Sequence, residues 1–76
     1  MTHSDAVETL NHYGKERKKA YSRNMDWVPN ARTMREIREA AEVVSKSKQP
    51  APRLLNKAGY ALFEKIIEIQ EERMNQ

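Results

Sequence analysis

The chain has 76 residues, 14 of them basic and 11 acidic, so a third of the chain is charged while the net charge is only +3. We expect a single small domain over residues 1–76 with a thin stability margin, because a chain this short buries only about 60% of the surface it exposes when unfolded. The absence of cysteine excludes disulfides, thiolate zinc sites and thiol nucleophiles, and favours the cytoplasm. No apolar run approaches the roughly 20 residues that cross a bilayer, so we expect no membrane association.

The first predicted helix runs from about residue 5 to residue 22, after a flexible tail over residues 1–4. Ser4 or Asp5 can cap it. Apolar residues recur at helical spacing, but Gly14 interrupts them and costs about 1 kcal/mol relative to alanine. We therefore expect this helix to need a packing partner.

The second predicted helix runs over about residues 31–46. Pro29 predicts a turn before it, and either Asn30 or Thr33 can cap it. Its apolar line is narrow, so we expect the helix to be amphipathic and packed on one side. The apolar line consists of Met34, Ile37, Ala41 and Val44.

The third predicted helix runs over about residues 53–73, and nearly half of its circumference is apolar. One neighbouring helix cannot cover so wide a face, so this helix either contacts both others or lends part of its face to a second chain. The sequence therefore predicts an all-α fold. The three helices form either a compact bundle or an open arrangement whose third helix is shared in a homodimer.

The stretch HYGKERKKAYSR, residues 12–23, is the most basic in the chain. A helix face of this kind can neutralise phosphates of DNA or RNA without reading sequence, although lysine-rich faces are also commonly just solvated. The candidate phosphate-binding residues here are Lys15, Arg17, Lys18, Lys19 and Arg23.

The segment 33–56 resembles the helix-turn-helix of bacterial repressors. TMREIREAA looks like its first helix, with Ile37 and Ala41 at the family's core positions, and SKS and RLLN look like its turn and the end of its recognition helix. The resemblance implies DNA binding and transcription regulation. The alternative is two structural helices with a stiff linker, because Pro50 and Pro52 fall at the front of the expected recognition helix. The candidate DNA-contacting residues are Lys46, Lys48, Gln49 and Arg53.

A second class of function is open: an adaptor or inhibitor that binds another protein, of the small helical kind common in phages and mobile elements. Trp27 lies in the predicted turn, where a tryptophan either anchors a partner or closes the end of a small core. The candidate protein-interface residues are Tyr21, Trp27, Phe63, Ile67 and Met74.

Catalytic and metal-binding patterns are missing from the sequence. Glu64, Glu68 and Glu72 share one helix face, but neither His3 nor His12 is placed to join them. We therefore expect an acidic face that is solvated or complements a basic partner surface, and no metal site. There is no glycine-rich phosphate loop and no recognisable nucleophile with its base. We expect a binding protein that is not an enzyme and needs no cofactor.

Overall fold

A computed structural model describes residues 1–46 and 55–74, the last two of these by their backbone alone. Three α-helices make up most of this part of the chain, and it contains no strand. The helices are α1 (His3–Ser22), α2 (Ala31–Lys46) and α3 (Lys57–Met74). The predicted all-α fold is therefore confirmed, and the packing of α1 against both other helices makes a small helical bundle.

The first helix begins earlier than the sequence predicts. Thr2 is its N-cap, because its backbone is extended and its Oγ1 accepts a hydrogen bond from the backbone N–H of Asp5 at 3.1 Å. The prediction that Ser4 or Asp5 caps the helix is wrong, and so is a tail that extends over residues 1–4. Asp5 instead lies in the first turn, where a carboxylate interacts favourably with the helix dipole.

The first helix ends in a Schellman motif. The backbone N–H of Asn24 donates to the carbonyl of Tyr21 at 3.1 Å, and that of Met25 donates to the carbonyl of Ala20 at 3.0 Å. Asn24 has a φ of 56°, the left-handed conformation that this motif requires and that asparagine adopts more easily than most residues. The chain is thereby turned out of the helix before Trp27.

The second helix has the bounds that the sequence predicts, Ala31–Lys46. Of the two candidate caps, Asn30 is the one used: its Oδ1 accepts a hydrogen bond from the backbone N–H of Thr33 at 2.8 Å. The buried face is shifted slightly from the predicted apolar line, since Met34 is only partly buried and Ala40 is fully buried.

The third helix begins at Lys57, later than the predicted start near residue 53, because Leu55 and Asn56 are not helical. Asn56 is the cap: its Oδ1 accepts from the backbone N–H of Gly59 at 2.7 Å. The backbone N–H of Asn56 itself donates to Oδ1 of Asn11 in α1 at 2.9 Å. One asparagine therefore both starts α3 and ties its start to the middle of α1.

The first helix lies at the centre of the bundle. α2 is antiparallel to it, as shown by the hydroxyl of Tyr13, which donates to Oε2 of Glu36 at 3.4 Å, and by the amino group of Met1, 3.9 Å from Oε1 of Glu39. α3 runs in the same direction as α1, because Asn56 bonds to Asn11 whereas Lys65, further along α3, lines a groove with Tyr21, further along α1. The contact of α3 with α2 is small. The sequence predicts that the third helix either contacts both others or lends part of its face to a second chain, whereas in the structure the first helix packs extensively against both others.

Two glycines allow α1 and α3 to approach closely. A Cβ atom on Gly14 would lie 2.5 Å from the carbonyl oxygen of Ala58, and one on Gly59 would lie 3.1 Å from Cα of Asn11. A side chain at the first position requires the backbones to move apart. Gly14, which in the sequence only weakens α1, is therefore the residue that lets α3 pack against it.

The core is small and wholly apolar. Among the described residues no polar or charged side chain is buried, and the largest fully enclosed side chains are Leu10, Ile37 and Leu62. Several core positions are alanines, which contribute little buried area each. The buried hydrophobic residues are Ala6, Val7 and Leu10 of α1, Ile37, Ala40, Ala41 and Val44 of α2, and Leu55, Leu62 and Ile66 in and before α3.

Candidate nucleic-acid interface

The basic residues of the first helix lie in its C-terminal half. Lys15, Lys18 and Lys19 are exposed. Arg17 is partly buried, and its guanidinium lies 4.8 Å from the centre of the Tyr21 ring, a cation–π arrangement. Tyr21 is half exposed, so this stack borders solvent.

A groove between α1 and α3 brings cations of both helices together, and we call it the cationic groove. It has a volume of about 250 Å³. None of the described residues that line it is acidic. The groove is bordered by Arg17, Lys18 and Tyr21 of α1 and by Lys57, Ala58 and Ala61 of α3, with Gly14 between them.

Two lysines of α3 extend the basic surface beyond the residues predicted from sequence. Lys57 lines the cationic groove, and Lys65, two turns later on the same side of α3, lines a neighbouring groove with Arg17 and Tyr21. The spacing of Lys57 and Lys65 is visible in the sequence. Their position beside Arg17 and Tyr21 is not, because it depends on the close approach of α1 and α3.

Ion pairing within the bundle does not neutralise these cations. In the described part of the chain, the ion pairs join Lys46 to Glu42 and the amino group of Met1 to Glu39. The basic side chains around the cationic groove are therefore available to an anionic partner. Four lysines form no ion pair with a described carboxylate: Lys15, Lys18, Lys57 and Lys65.

Lys19 and Arg23 lie in a different electrostatic setting. They border a depression that also contains Glu16 and Asp26. The two carboxylates offset the two cations, so this surface attracts phosphate less than the cationic groove does. The structure thus divides the predicted basic set of α1 between two surfaces.

Of the residues predicted to contact DNA around the start of the third helix, Lys46 is the one that the structure describes, and it does not line the cationic groove. Lys46 is at the end of α2, which lies near the start of α1, and its Nζ donates to Oε1 of Glu42 at 2.7 Å. That hydrogen bond and the charge of Lys46 lower the pKa of the Glu42 carboxyl below its ordinary value. The helix-turn-helix resemblance stays a prediction, because part of its segment is not described. Outside the described residues lie Lys48, Gln49 and Arg53.

Trp27 packs, partly buried, against the core and borders a second groove, which we call the tryptophan groove. Exposed apolar side chains stand at this end of the bundle: Met25 is 60% exposed, Val28 84% and Tyr21 50%. The tryptophan groove is therefore apolar, with two cations at its border. It is bordered by Arg17, Tyr21, Trp27, Met34, Lys65 and Ile69.

Phe63 and Ile67, two further predicted interface residues, lie on the edge of α3 that faces away from the two grooves. Phe63 and Ile67 are partly buried and pack against the core, and the Phe63 ring centre is 6.3 Å from that of Tyr60. The side chain of Met74 is not described. The structure therefore separates Phe63 and Ile67 from Tyr21 and Trp27 instead of gathering them into one surface.

The outer face of α3 is acidic, with Glu64, Glu68, Glu71 and Glu72 exposed. The Glu64 carboxylate, one turn further along α3, raises the pKa of the Tyr60 hydroxyl above its ordinary value, by hydrogen bonding first and by its negative charge second. In the described ranges no group of three or more histidine, cysteine, aspartate or glutamate side chains is arranged to hold a metal ion.

Comparison with models of protein families, with curated proteins and with solved structures gives no match. Within residues 1–46 and 55–74, no helix combines the length and apolarity needed to span a lipid bilayer. Function must therefore be inferred from the two grooves and the charges around them.

Proposed function

We propose that this protein is a non-enzymatic nucleic-acid-binding protein, and that the cationic groove and the lysines beside it hold the phosphate backbone. One observation carries the proposal. Basic side chains from α1 and α3 converge on one groove whose described lining has no carboxylate, although the chain as a whole has almost as many acidic as basic residues.

The chemistry of the groove suits a phosphodiester backbone. Lys18 and Lys57 are exposed on opposite sides of it and form no ion pair with the described carboxylates, so a bound anion need not displace an internal partner. Lysine contacts of this kind supply affinity by counterion release and do not distinguish sequences. Transcription regulation, which the helix-turn-helix resemblance implies, would need a sequence preference in addition.

The test is a fluorescence-anisotropy titration of labelled oligonucleotides at salt concentrations from about 50 to 200 mM. The protein should bind with a steep salt dependence. The double variant Lys18→Gln, Lys57→Gln should bind more weakly on every sequence, and on duplex DNA its plot of log K against log salt should be flatter by about 1.8, the value for two lost phosphate contacts.

The matched control is the double variant Lys46→Gln, Lys19→Gln, which removes the same charge from outside the groove. Lys46 is paired with Glu42, and Lys19 shares its surface with Glu16 and Asp26. This variant should lose much less affinity than the groove variant. Equal losses would show that only net charge matters, and no binding by the unchanged protein at about 50 mM salt would refute the proposal.

The exposed apolar side chains around the tryptophan groove favour a second candidate function, binding of another protein. Val28 is 84% exposed and Met25 60%, so neither contributes much to the core. An adaptor or inhibitor that uses this surface should lose its partner in the variant Val28→Ser while keeping its helix content by circular dichroism. The same variant should bind nucleic acid unchanged, which separates the two candidates.

A further inference from the structure

We propose that the nucleic acid held in the cationic groove is single-stranded, with a base stacked against Tyr21 and the adjoining phosphates on Lys18 and Lys57. This inference rests on the function proposed above. Its starting point is the exposure of Tyr21. Tyr21 is 50% exposed at the border of the groove, whereas Tyr13, Trp27, Tyr60 and Phe63 are partly buried and pack against the core.

The side chains at this point are the types on which bases stack. The guanidinium of Arg17 lies over the Tyr21 ring, 4.8 Å from its centre. Single-stranded bases stack on aromatic rings and on arginine planes, and the adjacent cations hold the backbone that connects them. Because Arg17 and Tyr21 cover one face of each other, the outer face of the pair is the one on which a base can stack beside the lysines.

The groove also has room for a flat group next to the ring. Between the charged side chains its lining is Gly14, Ala58 and Ala61, none of which extends beyond a Cβ atom. The close approach of Gly14 to the backbone of Ala58 keeps this lining smooth. The lining has no carboxylate or amide side chain to pair with base edges, and the proposal uses Arg17 for stacking and Lys18 and Lys57 for phosphates, so we expect tolerance of sequence.

A duplex cannot use the same combination. Its bases are stacked on one another, so a ring on the protein surface reaches only sugar and phosphate unless a base is flipped out at a cost. A duplex would therefore contact the lysines and leave Tyr21 unused. The single strand should bind more tightly, by roughly the factor of 5 to 150 that corresponds to one stacked base.

The test compares four probes of equal length in the anisotropy assay: a thymidine single strand, an adenosine single strand, an abasic single strand and a mixed-sequence duplex. We expect Tyr21→Phe to bind all four like the unchanged protein. Tyr21→Ala should weaken binding of the two strands with bases by about 5- to 150-fold and leave the abasic strand and the duplex within about twofold.

Arg17→Lys is the companion variant, because it keeps the charge and removes the planar group. It should weaken binding of the strands that carry bases more than binding of the abasic strand. Circular dichroism checks the fold of each variant, and we expect Tyr21→Ala to keep its helix content because Tyr21 is half exposed.

The outcomes separate this inference from the proposed function. If Tyr21→Ala loses affinity equally for all four probes, or for none of them, base stacking is overturned. The proposed function still holds in that case, provided that the unchanged protein binds the duplex with a steep salt dependence. Absence of binding to every probe at about 50 mM salt overturns both. Loss confined to the strands that carry bases supports both.

Discussion

At the scale of single residues, glycine and asparagine carry much of the architecture. Gly14 and Gly59 allow the close contact of α1 with α3, and Asn24, with a φ of 56°, ends α1. The sequence alone indicates only that Gly14 weakens the first helix. The actual roles of the three residues come from what lies next to them in space.

We predict that Gly14→Ala destabilises the protein, although alanine is the better helix former by about 1 kcal/mol. The new Cβ would lie 2.5 Å from the carbonyl oxygen of Ala58, so the helices must move apart. Overpacking of this kind costs about 1 to 3 kcal/mol. Urea denaturation should show a lower midpoint, whereas Lys15→Ala on the exposed side of α1 should change the free energy of unfolding by less than about 0.5 kcal/mol. A stabilised Gly14→Ala variant would contradict the close packing.

We also predict opposite behaviour for two substitutions of Asn24. Asn24→Gly should be tolerated or slightly stabilising, because glycine takes the left-handed conformation without strain. Asn24→Ala should lower the free energy of unfolding by about 1 kcal/mol, because alanine keeps the Cβ but loses the short polar side chain whose local hydrogen bonding makes the left-handed conformation easier for asparagine. The measurement is the difference between the two thermal midpoints, and equal midpoints would argue against the Schellman motif.

At the scale of the helices, the sequence predicts an element well when the residues that set its ends lie within or beside it. α2 has its expected bounds because Pro29, Asn30 and the apolar spacing all lie within or beside it. The start of α3 is misplaced because Asn56 as a cap competes with Pro52, which is equally acceptable in a first helical turn. The choice is made by Asn11, which lies 45 residues away and binds the backbone of Asn56.

The cationic groove shows the same limit. Arg17 and Lys18 are recognisable in the sequence as members of a basic stretch, but Lys57 is not, because α1 and α3 become neighbours only through tertiary packing. The sequence also groups Lys19 with Lys18, whereas the structure sets Lys19 beside Glu16. Composition predicts that a basic surface exists, and only the packing shows which cations share it.

At the scale of the helices, we predict that two substitutions of the α3 cap, Asn56, differ in their effect on stability. Asn56→Ala removes the cap of α3 and should cost about 1 kcal/mol, whereas Asn56→Asp keeps an acceptor for the backbone N–H of Gly59 and should be close to neutral. The backbone bond from residue 56 to Asn11 is retained in both variants. The difference between the free energies of unfolding of the two variants, measured by chemical denaturation, gives the contribution of the cap. Equal loss in the two variants would mean that the side chain of Asn56 has another role.

At the scale of the whole molecule, a thin core is organised around one helix. α1 packs against both neighbours, while α2 and α3 touch each other little. A substitution in the buried face of α1 therefore disturbs both interfaces, and one in α2 or α3 disturbs mainly its own. For 76 residues the free energy of unfolding should be only about 4 to 11 kcal/mol, so one large core cavity removes much of it.

We predict that Leu10→Ala, at a fully buried position of α1, costs about 2 to 5 kcal/mol and leaves a measurable unfolded fraction near 37 °C. Val43→Ala, at a partly buried position of α2, should cost clearly less. Circular dichroism during heating compares them. A Leu10→Ala variant as stable as Val43→Ala would contradict the central place of α1.

The parallel arrangement of α1 and α3 also has a consequence for the order of folding. The contact of Tyr13 with Glu36 closes a loop of 23 residues, and that of Asn11 with Asn56 closes one of 45. Shorter closures cost less chain entropy and form earlier, so we expect the hairpin of α1 and α2 to form first and α3 to dock last. Both grooves need α3, so they are completed only in that final step. An oligonucleotide bound in the cationic groove should therefore stabilise the docked position of α3. In native-state hydrogen exchange, the amides of α3 should exchange most readily in the free protein and gain the most protection when the oligonucleotide is bound.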